Sequence, residues 1–183
     1  SEDRVKTDED IVTRLQRLLG EKVVLVWTHP GEKSPSFRGW PQTTLETMRD
    51  PRYLKQLRSG CNLAVLLGEP SGGICSIAID DDRDVAPFLE ANPALAGSLR
   101  SKGRRGCNVW LKVQGGYPGP AALKTRGGKA WGEWRSTGNI TMIHGLHPEG
   151  LQYHFEHEAG LVEIDFSEIE WPKDLRLPWM PEL

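Results

Sequence analysis

Cysteine is scarce in this sequence. Cys61, Cys75 and Cys107 are the only three in 183 residues, and they form no CxxC pair. An odd, widely spaced set excludes a disulfide framework and a structural zinc site built on paired cysteines. It suits a reducing compartment, so the expected location is the cytoplasm. Long apolar runs are also missing. No stretch approaches the roughly 20 residues that cross a bilayer, and no secretory leader is visible, so a soluble, intracellular chain is expected. An excess of one charge is missing too: Lys plus Arg is 23 and Asp plus Glu is 25, a net charge of −2. This excludes a uniformly basic coat while leaving room for a local basic cleft. Internal repeats and low-complexity tracts are absent. The length suits one domain over 1–183, read as an N-terminal part (1–60), a core (61–170) and a tail (171–183). Seven Trp supply large anchors for that core.

The chain is organised around the stretch Cys61 to Ser101. Asn62–Leu67 and Ile74–Asp80 are short apolar runs separated by Gly68-Glu69-Pro70-Ser71-Gly72-Gly73. Runs of that length bounded by Gly and Pro predict adjacent buried strands. Alternation puts Ile77 and Ile79 into a core and Ala78 with Asp80 on the opposite face. The second run ends in Asp80-Asp81-Asp82, with Asp84 beyond. A carboxylate at a strand end beside a Gly-rich turn is placed for a hard divalent cation such as magnesium. The plainer reading is a solvated loop capping the helix that begins near Val85.

Elsewhere, Thr7–Leu19 predicts an opening helix, capped by Asp8 or Asp10, striped by Ile11, Leu15, Leu18 and Leu19, and stopped by Gly20. Lys22–Trp27 predicts a strand, Thr28–Thr44 a loop, and Leu45–Ser59 a helix broken at Asp50-Pro51. Asp84–Ala91 and Pro93–Leu99 predict two short helices. Cys107–Val113 alternates as a strand with Asn108, Trp110 and Lys112 on one face. Gln114–Lys129 is expected as a Gly-rich loop, and Trp131–Ser136 with Asn139–His144 as a hairpin turning at Thr137-Gly138. Tyr153–Glu156 and Leu161–Asp165 are expected as shorter strands, and the Pro-interrupted tail as a packed strap or a linker. The fold class is α/β (α+β) with a mixed or antiparallel sheet.

Three constellations have chemical potential. The acidic strand end is one. The second is Arg100-Ser101-Lys102-Gly103-Arg104-Arg105-Gly106, a turn whose amides and cationic side chains suit a triphosphate or a nucleic-acid backbone. The third is Glu133 and Arg135 on one strand face between Trp131 and Trp134. That alternation also turns Trp134 away from them, towards a core. The plainer readings are a solvated basic loop and an exposed ion pair. Two HxxH spacings, His144 with His147 and His154 with His157, put their imidazoles on opposite faces of a strand, which argues against zinc.

The order of these pieces resembles the bifunctional DNA primase/polymerase domain of phage and plasmid replication proteins, a branch of the archaeo-eukaryotic primase superfamily. The resemblance runs from about Lys33 to Tyr153. Gly31-Glu32-Lys33-Ser34-Pro35 and Gly39-Trp40 are similar to its opening segment, and Asn62–Gly73 to its Gly-rich turn. Ile74–Asp82 falls where its metal-binding Asp-x-Asp strand belongs, and Ser101–Leu111 on its triphosphate-holding strand. Glu133 matches its third acid, and Gly145–Tyr153 its closing segment with the His147-Pro148 pair. The resemblance implies a primase-like core with an RRM-like sheet and an N-terminal α/β lobe.

The activity it implies is template-dependent nucleotidyl transfer by two Mg²⁺ or Mn²⁺ ions, with Asp80 and Glu133 as metal ligands and Asp82 behind them. Ser101, Lys102, Arg104, Arg105, Asn108, Arg135 and His147 are the implied nucleotide contacts. Lys33, Arg38 and Trp40 are the implied contacts to a single-stranded DNA template, with Trp40 also suited to a core role. A helicase domain, in the same chain or the same replisome, is the implied partner. Two departures stand out. The first carboxylate of the acidic strand falls on Ala78, which reads like an Asp-to-Ala replacement, introduced or natural, in an otherwise intact motif. Asn108 stands where the family has His, keeping hydrogen-bonding capacity without charge. Two other readings follow: a non-catalytic nucleotide or single-strand-binding module, and a metal-dependent phosphoesterase using Asp80 to Asp82.

Overall fold

The computed structural model describes residues 9–181. Helix α1 (Ile11–Leu19) opens on Asp10, whose carboxylate accepts from the Thr13 amide at 3.1 Å, and closes at Gly20. The predicted start at Thr7 and the alternative cap Asp8 lie outside the described residues. Val12, Leu15, Leu18 and Leu19 form its buried stripe. A turn at 21–22 delays strand β1 to Leu25–Thr28. The loop that follows holds one tight turn at Trp40–Gln42 and another at Thr47–Arg49. Helix α2 (Pro51–Leu57) then begins at the expected break, with Asp50 accepting from the Arg52 amide at 2.9 Å and Pro51 in the first turn.

Strands β2 (Asn62–Leu66) and β3 (Ile74–Ile79) are both fully buried. They are not ladder partners, contrary to expectation. β2 lies between β1 and a later strand, while β3 joins a second, larger sheet. The turn between them is a crossover held by a single bridge between Gly68 and Ile74. Ser71 secures it: its hydroxyl accepts from the Val24 amide at 2.9 Å and donates to the Leu66 carbonyl at 2.6 Å.

Helices α3 (Val85–Ala91) and α4 (Pro93–Ala96) follow. The expected basic turn is strand β4 over its first residues (Arg100–Lys102) and turns only after them, before β5 (Cys107–Gln114). The stretch expected as a loop contains strand β6 (Ala121–Thr125), which pairs antiparallel with β7 (Ala130–Arg135) and buries Leu123. Strand β8 (Ile140–His144) makes no hairpin with β7. It pairs with β2, and the turn at 136–139 is a second crossover between the sheets. The two crossovers touch, with the Glu69 amide donating to Thr137 Oγ1 at 3.0 Å.

Strands β9 (His154–His157), β10 (Val162–Asp165) and β11 (Leu175–Arg176) complete the chain. The small sheet has the order β1-β2-β8. The large one runs β11-β6-β7-β3-β5-β4-β9, with β10 parallel to β5 and the other pairs antiparallel. The fold is thus mixed α/β with mostly antiparallel sheets. On one face of the large sheet, Ile77, Ile79, Val109 and Trp134 pack with Phe88 of α3. The tail is a strap on this side: Leu175 is buried, and Trp171 and Trp179 pack at tilted or edge-on angles against each other and Phe166. On the other face, Ile74 and Trp110 pack against α1 and the small sheet. Ser76 meets Thr141 of β8 there, hydroxyl to hydroxyl at 2.8 Å. Beyond that contact, the same face carries Ala78 and Asp80 into an open cleft.

Candidate functional site

The cleft has a volume of about 810 Å³. Its floor is Ala78 and Asp80 from β3, Asn108 from β5, and Glu133 and Arg135 from β7. One wall is the turn Gly103-Arg104-Arg105. The other joins Lys33, Ser34 and Trp40 with Ile140 and Met142 of β8 and the residues His147, Pro148, Glu149 and Tyr153. Ten of the fourteen residues singled out in the sequence therefore meet here: Lys33, Trp40, Ala78, Asp80, Arg104, Arg105, Asn108, Glu133, Arg135 and His147.

Register sets the floor. Ala78 is the cross-strand neighbour of Asn108 on one side and of Glu133 on the other. Cross-strand neighbours share a face, with Cβ atoms about 4.5–5.5 Å apart, so the methyl group of Ala78 sits between an amide and a carboxylate. Gly132 lets β7 come this close, because a Cβ there would run into the Ala78 carbonyl. A glycine inside a strand signals such an approach.

Asp80 follows β3, its amide donating to the Trp131 carbonyl at 3.0 Å. Desolvation among the cleft walls, then the nearby Glu133 carboxylate, push its pKa up; Arg135 and Arg105 pull the other way. The other acids of the run turn away from the cleft. Asp81 caps the next turn, accepting from the Arg83 amide and pairing with its guanidinium at 2.9 Å, which holds its carboxyl well below the usual range. Asp82 accepts from Lys102 Nζ and from the Gly106 amide, both at 2.8 Å, and is lowered by those bonds. Local capping thus accounts for Asp81 and long-range bonds to the basic turn for Asp82, and Asp80 alone of the three lines the cleft.

The cations divide in the same way. Arg135 Nε donates to Glu133 Oε2 at 3.1 Å, and its Nη1 reaches the buried Thr141 hydroxyl at 3.4 Å. Arg104 pairs with Glu149 at 2.7 Å. Lys102, Ser101 and Arg38 lie outside the lining. Lys102 is drawn to Asp82, and its pKa is raised by that bond. Ser101 shares the face of Asn108 but is buried, its hydroxyl accepting from Trp110 Nε1 at 2.8 Å. His147 accepts from the Glu149 amide at Nδ1, 3.1 Å away, which leaves its proton on Nε2. Desolvation and then Lys33 lower its pKa, against the pull of Glu149 and with a smaller push from Arg104. Two lining residues, Glu149 and Tyr153, were missed as site residues by sequence reasoning. Burial raises the Tyr153 pKa, and its hydroxyl has no hydrogen-bond partner among the described residues.

The donor set fits one hard cation better than two. Magnesium is commonly held by one or two carboxylates together with waters and substrate phosphates, and Asp80 with Glu133 supplies that number. A pair of ions needs further carboxylate, and the row presents Ala78 there. Among the described residues, no group of three or more His, Cys, Asp or Glu is gathered as a metal site, the HxxH pairs included.

The cleft thus sets two acids on an antiparallel sheet floor beside a basic turn. Residues 15–172 match the Prim-Pol family, described as bifunctional DNA primase/polymerase, N-terminal, and the chain belongs to it. No curated protein matches the chain. Family membership carries a primase/polymerase role in replication and, in general terms, nucleotidyltransferase activity with DNA, nucleotides and a metal ion. Among the described residues, no helix is long and apolar enough to cross a membrane.

Proposed function

We propose that the cleft binds a nucleoside triphosphate beside a single-stranded DNA template, and that nucleotidyl transfer there is disabled at position 78. The observation that carries this reading is the register of Ala78 between Asn108 and Glu133, two residues before Asp80. Other groups suited to a transfer site line the same cleft. Arg105, Arg104 and Lys33 offer charge to the triphosphate. His147 donates from Nε2 and Asn108 from its amide, both to phosphate oxygens. Arg135, fixed by Thr141 and Glu133, faces the same space. Trp40 presents a half-buried ring at the rim for stacking a base, with Arg38 outside it on the template's approach.

Asp80 and Glu133 would hold one Mg²⁺ or Mn²⁺. When bound, that ion supplies charge neutralisation of the triphosphate and acidification of the attacking hydroxyl. The setting proposed is phage or plasmid replication with a helicase partner. Primer extension by the Ala78→Asp protein in Mn²⁺ tests the proposal: extension gained over the parent supports it. Silence in both proteins, with nucleotide still bound, favours the second reading, a non-catalytic binding module. That alternative draws on Ala78 and Asn108 both lacking the charge the family has there.

A further inference from the structure

Arg104 and Glu149 meet at the cleft, Nη1 to Oε1 at 2.7 Å, and both line it. Their ion pair joins the basic turn to the hairpin at 145–153. That hairpin is held unevenly. At its base, Asn62 Nδ2 donates to the Leu146 carbonyl and the Leu146 amide donates to Asn62 Oδ1, both at 2.8 Å. The Gly31 amide adds a bond to the same carbonyl at 3.1 Å, and the Tyr153 amide donates to Gly145 at 2.9 Å. The tip, 148–151, is exposed, and among the described residues its bonds are those of its own turn, with Glu149 near His147, and the reach of Glu149 to Arg104. The basic turn packs directly on the hairpin: a Cβ at Gly103 would lie 2.8 Å from His147 Cδ2 and 3.0 Å from Tyr153 Cε1. Behind this contact, the Tyr153 hydroxyl stays buried without a partner among the described residues. The closed wall is therefore not fully satisfied.

We propose that Glu149 is a built-in stand-in for phosphate: its carboxylate occupies Arg104 in the empty cleft, and an incoming triphosphate displaces it and frees the hairpin tip. This rests on the reading of the cleft as a triphosphate site. Carboxylate and phosphate oxygens offer a guanidinium the same charge and the same acceptors, so both compete for one side chain. Arg105, which has no ion pair within 4.0 Å among the described residues, makes the first contact. Arg104 follows once Glu149 lets go. Both partners of the pair are about half exposed, 55% and 49%. Exposed pairs are weak, so the competition sets affinity within about two- to five-fold rather than acting as an on–off switch.

Calorimetry on the full chain, with a nucleoside triphosphate and with inorganic tripolyphosphate as the probe for phosphate alone, tests this. Glu149→Gln should bind both probes about two- to five-fold more tightly than the parent. In an Arg104→Ala background the same change should have no effect. Equal tightening in both backgrounds, or none in either, overturns the proposal. If no protein, the parent included, takes up either probe, the triphosphate reading itself fails. Hydrogen exchange without ligand tests the latch separately. Glu149→Gln should speed exchange at the His147 and Gly150 amides while leaving Leu146, clamped by Asn62, unchanged. Unaltered exchange at the tip removes the latch whatever the ligand results.

Discussion

Ala78 lies directly opposite Glu133 on adjacent antiparallel strands, both side chains facing the cleft. An Asp at 78 would share one face with Asp80 and lie within about 5 Å of Glu133, Cβ to Cβ. Without metal, the crowded carboxylates repel, raise the apparent pKa values of the group and destabilise the empty fold. With Mn²⁺ the repulsion becomes binding energy, about 2.7 kcal/mol at a hundredfold excess over Kd. Mn²⁺ should therefore raise the melting temperature of Ala78→Asp by several degrees and that of the parent less. Equal shifts in the two proteins would show that position 78 adds nothing to metal binding.

Arg104 and Arg105 are exposed side chains on a turn and contribute little to packing. Replacing both by Ala should leave the melting temperature within a degree or two of the parent. It should weaken nucleoside triphosphate binding at least tenfold, since charge-assisted bonds contribute about 1.5–3 kcal/mol each. Unchanged affinity in calorimetry would take the basic turn out of the site.

Trp134 is fully buried, edge-on to Phe166 at 5.0 Å, with Nε1 donating to the Pro118 carbonyl at 3.0 Å. Trp134→Ala removes a fully buried indole from that layer and leaves the Pro118 carbonyl with the Ser136 hydroxyl as its donor. It should cost roughly 3–5 kcal/mol. Chemical denaturation measures the loss, and a change under about 1 kcal/mol would contradict this packing.

Asp80 predicts a pH dependence with a definite sign. Its folded pKa is raised above the ordinary carboxylate value, so the folded state holds that proton more tightly than the unfolded chain. This contribution is fully present below the unfolded pKa of about 3.9 and is lost as pH rises through the folded value. At neutral pH, Asp80→Asn should melt above the parent, and the gap should narrow as pH falls towards 4. A gap that widens in acid would reverse the assignment.

Much of the fold is set by neighbours in the chain and was legible there. Asp10 caps α1 through the Thr13 amide, as expected, while the break expected at Asp50-Pro51 within a helix from Leu45 is where α2 starts, since a first-turn proline has no amide to waste. Alternation alone turned Trp134 inward and Glu133 with Arg135 outward. The order of the acidic strand, basic turn and second acid pointed to the family that the match over 15–172 establishes.

Strand partners were not legible, because a ladder joins residues far apart and an apolar run looks the same beside any neighbour. The runs expected as adjacent strands, Asn62–Leu67 and Ile74–Asp80, and the expected hairpin of Trp131–Ser136 with Asn139–His144 are both joined by crossovers that send consecutive strands into different sheets. β6 was hidden by its small residues, since only pairing with β7 makes Ala121 and Ala122 a strand. Charges divide by the same logic. Lys102 and Arg104 are near neighbours in one basic run, yet Asp82 takes the first and Glu149 the second. Residue types set which chemistry the chain carries. Which carboxylate reaches which cation is decided by distance, and distance exists only once the sheets have packed.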